Sequence, residues 1–209
     1  MSESATAVRV EALVPADVEA TADVLNEAFL HDPVWTSIGP RREAHRRFAN
    51  RTIFRGIVSA SLGHGGRMRV ARSGSEVVGT SIAFEPGAWP LPQSALAYEL
   101  RWLALVGPAP SLRGFRNDRA IRARHPRHQL MYLWFLGVHP DWHGRGAGRA
   151  LLAELHAESD EGGLPTYLET GTEKNVGFYE GDGYAVVGDV ALPSGVPMWL
   201  MERPAGYVK

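Results

Sequence analysis

Residues 137–152 read GVHPDWHGRGAGRALL, and no other stretch of the chain gathers as many residues suited to holding a ligand. An apolar run enters a short loop kinked at Pro140. Gly144, Gly146 and Gly148 then alternate with other residues ahead of a helix-like run. Small residues let successive backbone N–H groups close on an anion. A helix starting near Gly146 would add its free N–H groups and the positive end of its dipole. Arg145 and Arg149 can add positive side chains, and a pyrophosphate is the natural occupant. The P-loop is excluded, because it needs Gly-Lys-Ser/Thr and here Arg149 and Ala150 follow Gly148. The dinucleotide pattern G-x-G-x-x-G starts at Gly144 or Gly146, yet Arg149 or Leu151 stands in place of the last glycine. Glu169 lies about where a ribose-binding acid would. However, residues 139–143 separate the strand from the glycines, which in a dinucleotide unit follow the strand directly.

Val138-His139-Pro140 followed by His143-Gly144-Arg145-Gly146-Ala147-Gly148 resembles the acetyl-CoA-binding motif of the GNAT superfamily of N-acetyltransferases. His143 stands where Gln or Arg is usual. Downstream, PTYLET (165–170) and KNVGFYEGDGY (174–184) resemble the superfamily's P-x-x-L-E-T and N-x-x-F-Y-x-x-x-G-F patterns, with Tyr184 in place of Phe. From about 130 to 203 the chain is most similar to the puromycin N-acetyltransferase group of antibiotic and small-amine acetyltransferases. The N-terminal half matches in layout only.

The resemblance implies acetyl-CoA as cofactor and a direct attack of an amine on its thioester. That chemistry needs a donor for the oxyanion, a route for the amine's proton and a proton for the leaving thiolate. By resemblance, Leu136, Gly137 and Val138 at the end of the fourth strand hold the acetyl and pantetheine groups. His143, Gly144, Arg145, Gly146, Ala147 and Gly148 hold the pyrophosphate, and Asn175 contacts the pantetheine arm. Gly137 read alone is equally a strand bulge, and Asn175 read alone is equally a helix N-cap. Tyr179 matches the tyrosine that protonates the thiolate; a phenol keeps its proton at neutral pH.

Superfamily members often use a Glu or His on the fourth strand as base. Here that strand offers Tyr132 and Trp134 on the side of Leu136, and neither is a base. Glu169 on the next strand, between Tyr167 and Leu168, is the alternative, as a base or as a group binding the substrate cation. Asp32, Trp35 and Trp134 join Glu169 as substrate-side candidates, with Trp89, Tyr98, Glu99 and Trp102 further possibilities. Aromatics plus an acid suit an amine on a ring compound, although packing is the better explanation for any one of them taken singly.

The elements that must position these groups follow from periodicity and punctuation. We expect a strand at 8–13, a helix at 14–30 broken by Pro33, and an Arg-rich helix from Arg42 to about Ser61. A hairpin turns at Ser73–Glu76. Helices at 93–106 and 112–124 form an insertion spanning about 86–128. A buried strand at 129–138, the glycine-loop helix, a strand at 166–170, a short helix and strands near 184–190 and 197–203 complete the chain. This is a mixed α/β fold: one domain over 1–209, with a twisted sheet of about seven strands and helices on both faces.

Bulk properties narrow the class further. Net charge is −1 and the 22 basic residues are dispersed, which gives no electrostatic case for nucleic acid. There is no Cys, so disulfides and thiolate zinc sites are excluded. With no third ligand in register, His125-x-x-His128 reads as a surface loop, and no metal is expected. No apolar run approaches the ~20 residues of a membrane span. We therefore expect a cytoplasmic acetyltransferase acting on a primary amine of a small molecule, an antibiotic or polyamine-like compound included, with a homodimer left open. Peptide or protein N-acetylation, and a CoA-binding module without turnover, are the alternatives.

Overall fold

The computed structural model describes residues 7–89 and 96–208, side chains of 96–99 excepted. Of the insertion expected at 86–128, residues 90–95 therefore lie outside the described residues, as do the side chains of Tyr98 and Glu99.

Strand β1 (Arg9–Ala12) leads through a 3₁₀ turn (Pro15–Asp17) into α1 (Val18–Phe29). Next come α2 (Pro33–Ile38), α3 (Glu43–Gly63), β2 (Arg67–Ser73) and β3 (Glu76–Phe84). Helices α4 (Leu96–Val106) and α5 (Pro108–Arg122) precede β4 (Met131–Val138). The chain then runs through a 3₁₀ turn (Pro140–Trp142), α6 (Ala147–Glu161), β5 (Thr166–Thr170), α7 (Glu173–Glu180), β6 (Ala185–Ala191) and β7 (Pro197–Arg203). Pro33 breaks α1 as expected but does not leave a loop. It starts α2 at the first helical position, where its missing N–H costs nothing.

The seven strands form one mixed sheet in the order β1-β2-β3-β4-β5-β7-β6. Phe54 and Val58 of α3 and Leu25 of α1 cover one face, over Ile82, Tyr132 and Tyr167. Leu152 and Leu155 of α6 and Tyr179 of α7 cover the other, over Leu133, Leu168 and Met201. Because both faces are covered, β3 is buried from Val77 to Phe84, Thr80 and Ser81 included.

Two features of β4 shape the site. Ile82 of β3 pairs with Phe135 and Ala83 with Leu133, so Trp134 is an extra, bulged residue. The bulge corrects the alternation expected from sequence. Tyr132 and Phe135 share the α1–α3 face, whereas Leu136 packs with the α6–α7 face. In addition, β4 pairs with β5 only at Met131–Thr166 and Tyr132–Tyr167. Strand β5 meanwhile stays paired with β7 over its whole length. Past Tyr132 the two halves of the sheet diverge and open a V-shaped gap.

Candidate active site

The end of β4 forms one wall of a cleft of about 470 Å³, and the glycine loop forms its floor. Local chemistry sets the loop. His139 caps the 3₁₀ turn, its Nδ1 accepting from the Asp141 N–H at 3.3 Å. His143 Nε2 donates back to the Val138 carbonyl at 3.1 Å, which pins the loop to the strand it leaves. Gly144 and Gly146 have φ of 74° and 86°, a left-handed backbone that side-chain-bearing residues avoid. Gly146 is thereby the N-cap of α6, whose first turn presents N–H groups its own helix cannot satisfy.

Positive charge gathers around this helix end. Lys174 and Arg149 line the cleft. Arg149 Nε also lies 3.5 Å from Asp182 Oδ2. Helix dipole, free N–H groups and cations together fit a diphosphate.

Helix α7 forms the far wall and brings Asn175 and Tyr179 to the same cleft. Thr172 stands at the N-cap position, without a side-chain cap bond, and Asn175 is the third residue of the helix, outside the capping position that its type suggested. Tyr179 is 8% exposed and lies against Tyr184, ring centroids 5.5 Å apart. Burial raises its phenol above the ordinary value of 10.0. Asp32 reaches the cleft from the α1–α2 junction, where its Oδ1 accepts from the Val34 and Trp35 N–H groups at 2.9 and 3.1 Å. Burial raises its carboxyl pKa, and those two bonds oppose the rise.

The structure thus brings together Leu136, Gly137, Val138, His143, Gly144, Gly146, Ala147, Gly148, Asn175, Tyr179 and Asp32. Gly137 is not at the bulge. It pairs with Thr80, and a Cβ there would meet Leu25 Cδ2 of α1 at 3.0 Å.

Four expected residues do not line this cleft. Arg145 is exposed, its guanidinium 4.8 Å from the centroid of the Trp142 ring. Trp35 packs 4.4 Å from Phe54 and 6.0 Å from Trp102, and Trp134 packs 4.7 Å from Phe135. Glu169 lies in the gap on the α1–α3 face, its Oε2 accepting from Tyr132 Oη at 2.7 Å. Burial and the Glu169 charge push the Tyr132 phenol well above 10.0.

Sequence reasoning missed Lys174, Trp142, Ala28 and Phe29, which also line the cleft. A signal existed for Lys174: it is one of two lysines in a chain whose other basic residues are all arginine. A second cleft of about 340 Å³ includes Trp89, His125 and Tyr132. His125 is therefore not on an open surface loop: its side chain is 18% exposed. Among the described residues there is no cluster of His, Asp or Glu suited to a metal.

Residues 114–186 match the model of the acetyltransferase (GNAT) domain. The matched segment and the strand order define the class of fold, that of the GNAT acetyltransferases. Solved structures with the same fold are similar over nearly the whole chain. One is described as histone acetyltransferase HPA2 and related acetyltransferase, from Corynebacterium glutamicum. It is 24% identical with a TM-score of 0.74, covering 97% of this chain and 98% of that one. The ribosomal-protein-S18-alanine N-acetyltransferase of Escherichia coli is 15% identical, TM-score 0.57, covering 97% of each chain. The PaiA N-acetyltransferase of Thermoplasma acidophilum, solved with coenzyme A, is 15% identical, TM-score 0.58, covering 95% of this chain and 99% of that one. No described helix is long and apolar enough to cross a membrane.

Proposed function

We propose that the protein transfers the acetyl group of acetyl-CoA to a primary amine of a small molecule by direct attack, as in the puromycin N-acetyltransferase group. The observation that carries this reading is a single cleft uniting the α6 N-terminus, the unpaired edge of β4 and Tyr179. The loop of residues 143–148 would take the pyrophosphate and Asn175 the pantetheine. Leu136, Gly137 and Val138 would run alongside the thioester, where backbone N–H groups stabilise the oxyanion.

As the amine nitrogen bonds to the carbonyl carbon and the C–S bond breaks, the electron pair passes to sulfur. Tyr179, held protonated by burial, meets that charge as a hydrogen-bond donor. Full proton transfer from a phenol to a thiolate is uphill, so the hydrogen bond carries most of the effect. Glu169 stands on the proton-accepting side, although its side chain, 6% exposed, is too enclosed to meet an incoming amine itself.

The preference for a small acceptor rests on α5. Arg113 Nε donates to the Ser37 carbonyl of α2 at 2.9 Å, and Asn117 exchanges hydrogen bonds with Ser194 in the β6–β7 turn. The helix thus ties α2 to that turn, and Val34 of α2 and Val196 of the turn close on Gly171 just past β5, leaving little room there for an extended peptide. Free-thiol release from acetyl-CoA, measured across small amines and across peptides with free N-termini, tests the reading. Turnover with small amines is expected. Turnover with peptides alone would overturn the acceptor class, and no turnover with either would favour a CoA-binding module.

A further inference from the structure

The i, i+3 histidine pair suggests a surface loop, yet the His125 ring sits in a box of aromatic side chains. Ring centroids lie 4.8 Å from Trp89, 4.8 Å from Tyr132 and 5.1 Å from Tyr167. Inside the box His125 Nδ1 is buried without a hydrogen-bond partner. Glu169 Oε1, also buried and unpartnered, lies 3.7 Å away. That separation is too long for a hydrogen bond, and a shift of about half an ångström would make one. Two complementary polar atoms left unpaired and facing each other are uncommon in a packed interior, and a role in the chemistry explains them.

We propose that the second cleft admits the acceptor amine and that His125, held by Glu169, takes the proton the amine sheds. The idea rests on acetyl transfer to an amine as the reaction. If Glu169 accepts a hydrogen bond from Nδ1–H, the tautomer is fixed and Nε2 carries the free lone pair. Nδ1 is shielded, so the part of the ring that remains 18% exposed includes the Nε2 edge, and His125 lines the second cleft. At about 340 Å³ that cleft suits a small molecule. Trp89, half-buried, lines it beside His125 and adds apolar surface for the body of the neutral amine.

The charged groups around His125 are consistent with this. Glu169 faces it from β5. Arg122 is held away, stacked on Trp89 at 4.6 Å. At the rim, Glu85 pairs with Arg67, and His128 Nε2 lies 3.1 Å from Glu202. Arg127 is exposed at the cleft edge.

The position relative to the first cleft matters most. Tyr132–Tyr167 is the last pair joining β4 to β5, and both rings lie on the α1–α3 face. Tyr179 lies on the opposite face, toward α6. His125 and Tyr179 therefore lie on opposite faces of the sheet, with His125 against the pair beyond which β4 and β5 part. The N–C bond forms as the C–S bond breaks, the amine proton goes to His125 Nε2, and the sulfur is met by Tyr179. His125 then loses its proton to solvent through the second cleft.

The test uses acetyl-CoA with phenethylamine as probe acceptor. We expect His125→Gln to lower kcat about 100-fold, with acetyl-CoA affinity by calorimetry within about twofold of wild type. Glu169→Gln, which keeps an acceptor for Tyr132, should fall between the two. Wild-type kcat in His125→Gln would overturn the proposal.

A binding readout separates this outcome from failure of the acetyl-transfer reading. In ¹⁵N-histidine-labelled wild type, the ring signal that His125→Gln removes should shift as phenethylamine is added into the millimolar range. Ethanolamine, which lacks the apolar body, should shift it about tenfold less effectively. An unmoved His125 signal overturns the proposal whether or not turnover is seen. Failure of acetyl-CoA to bind overturns instead the reading on which it rests.

Discussion

The first cleft draws most of its groups from one unbroken stretch, residues 136–149, and adds a short run of α7. Much of what it offers is backbone: N–H groups at a helix start and along a strand edge. The second cleft assembles side chains from two separated segments, around Trp89 and around His125, and backs them with Glu169. Its polar atoms, Glu169 Oε1 and His125 Nδ1, remain unpaired. The difference separates the tasks of an acyl transfer. A site for a fixed common substrate can be written in backbone geometry, which tolerates change in neighbouring side chains. A site for a particular acceptor must be written in the side chains themselves.

This division can be broken most sharply at Tyr179, the side chain proposed to meet the leaving sulfur in the first cleft. Tyr179→Phe removes the donor to sulfur and leaves the buried ring in place. Turnover should fall about 100- to 1,000-fold while the Kd for acetyl-CoA, by calorimetry, stays within about twofold. Equal losses in both quantities would mean that Tyr179 binds rather than catalyses. The direction of its pKa gives a companion prediction. Burial holds the phenol protonated above its ordinary 10.0, so kcat at saturating amine should show no basic-side fall from this group up to about pH 10. A fall below that pH that disappears in Tyr179→Phe would contradict it.

The opposite signature belongs to the backbone half of the cleft. Gly146 holds a φ of 86°, and a Cβ there would meet nothing within 4 Å. Gly146→Ala therefore tests conformation without steric blockade. A left-handed alanine costs about 1–2 kcal/mol, so acetyl-CoA should bind about tenfold more weakly as the loop relaxes, with kcat at saturation little changed. A large loss of kcat would show that the loop positions the thioester as well as holding the phosphates.

The two clefts also differ in how well the sequence discloses them. The β5 strand at 166–170 is legible to the residue, and the glycine loop is assignable from sequence because its residues are contiguous and glycine marks positive φ. The bulge at Trp134 is not legible. Nothing in MYLWFLGV distinguishes a run of eight paired residues from one with an extra residue, and only the register with β3 reveals it. That one residue reverses which face Leu136 occupies. His125 escapes a sequence reading for a related reason. Its burial depends on Trp89, Tyr132 and Tyr167, each brought in by a different segment, and an i, i+3 histidine pair carries no trace of them. Asn175 is one residue type with two possible jobs, and the choice falls to Thr172, which occupies the N-cap position.

The smallest effect is expected at the position where the motif departs from its superfamily. His143 donates through Nε2 to the Val138 carbonyl, a bond within the loop that needs no ligand to form. A glutamine has an N–H donor on a chain of similar reach and can make the same bond. His143→Gln should thus change acetyl-CoA affinity by no more than about threefold and leave kcat unaltered, as calorimetry and thiol release would register. His143→Ala removes the clasp altogether. Losing a single exposed hydrogen bond of about 1 kcal/mol, it should weaken binding about fivefold through a looser loop. If glutamine weakened binding as much as alanine did, the imidazole would have to contact the cofactor directly. The first cleft would then share with the second a dependence on one particular side chain, and the contrast between backbone-built and side-chain-built sites would narrow.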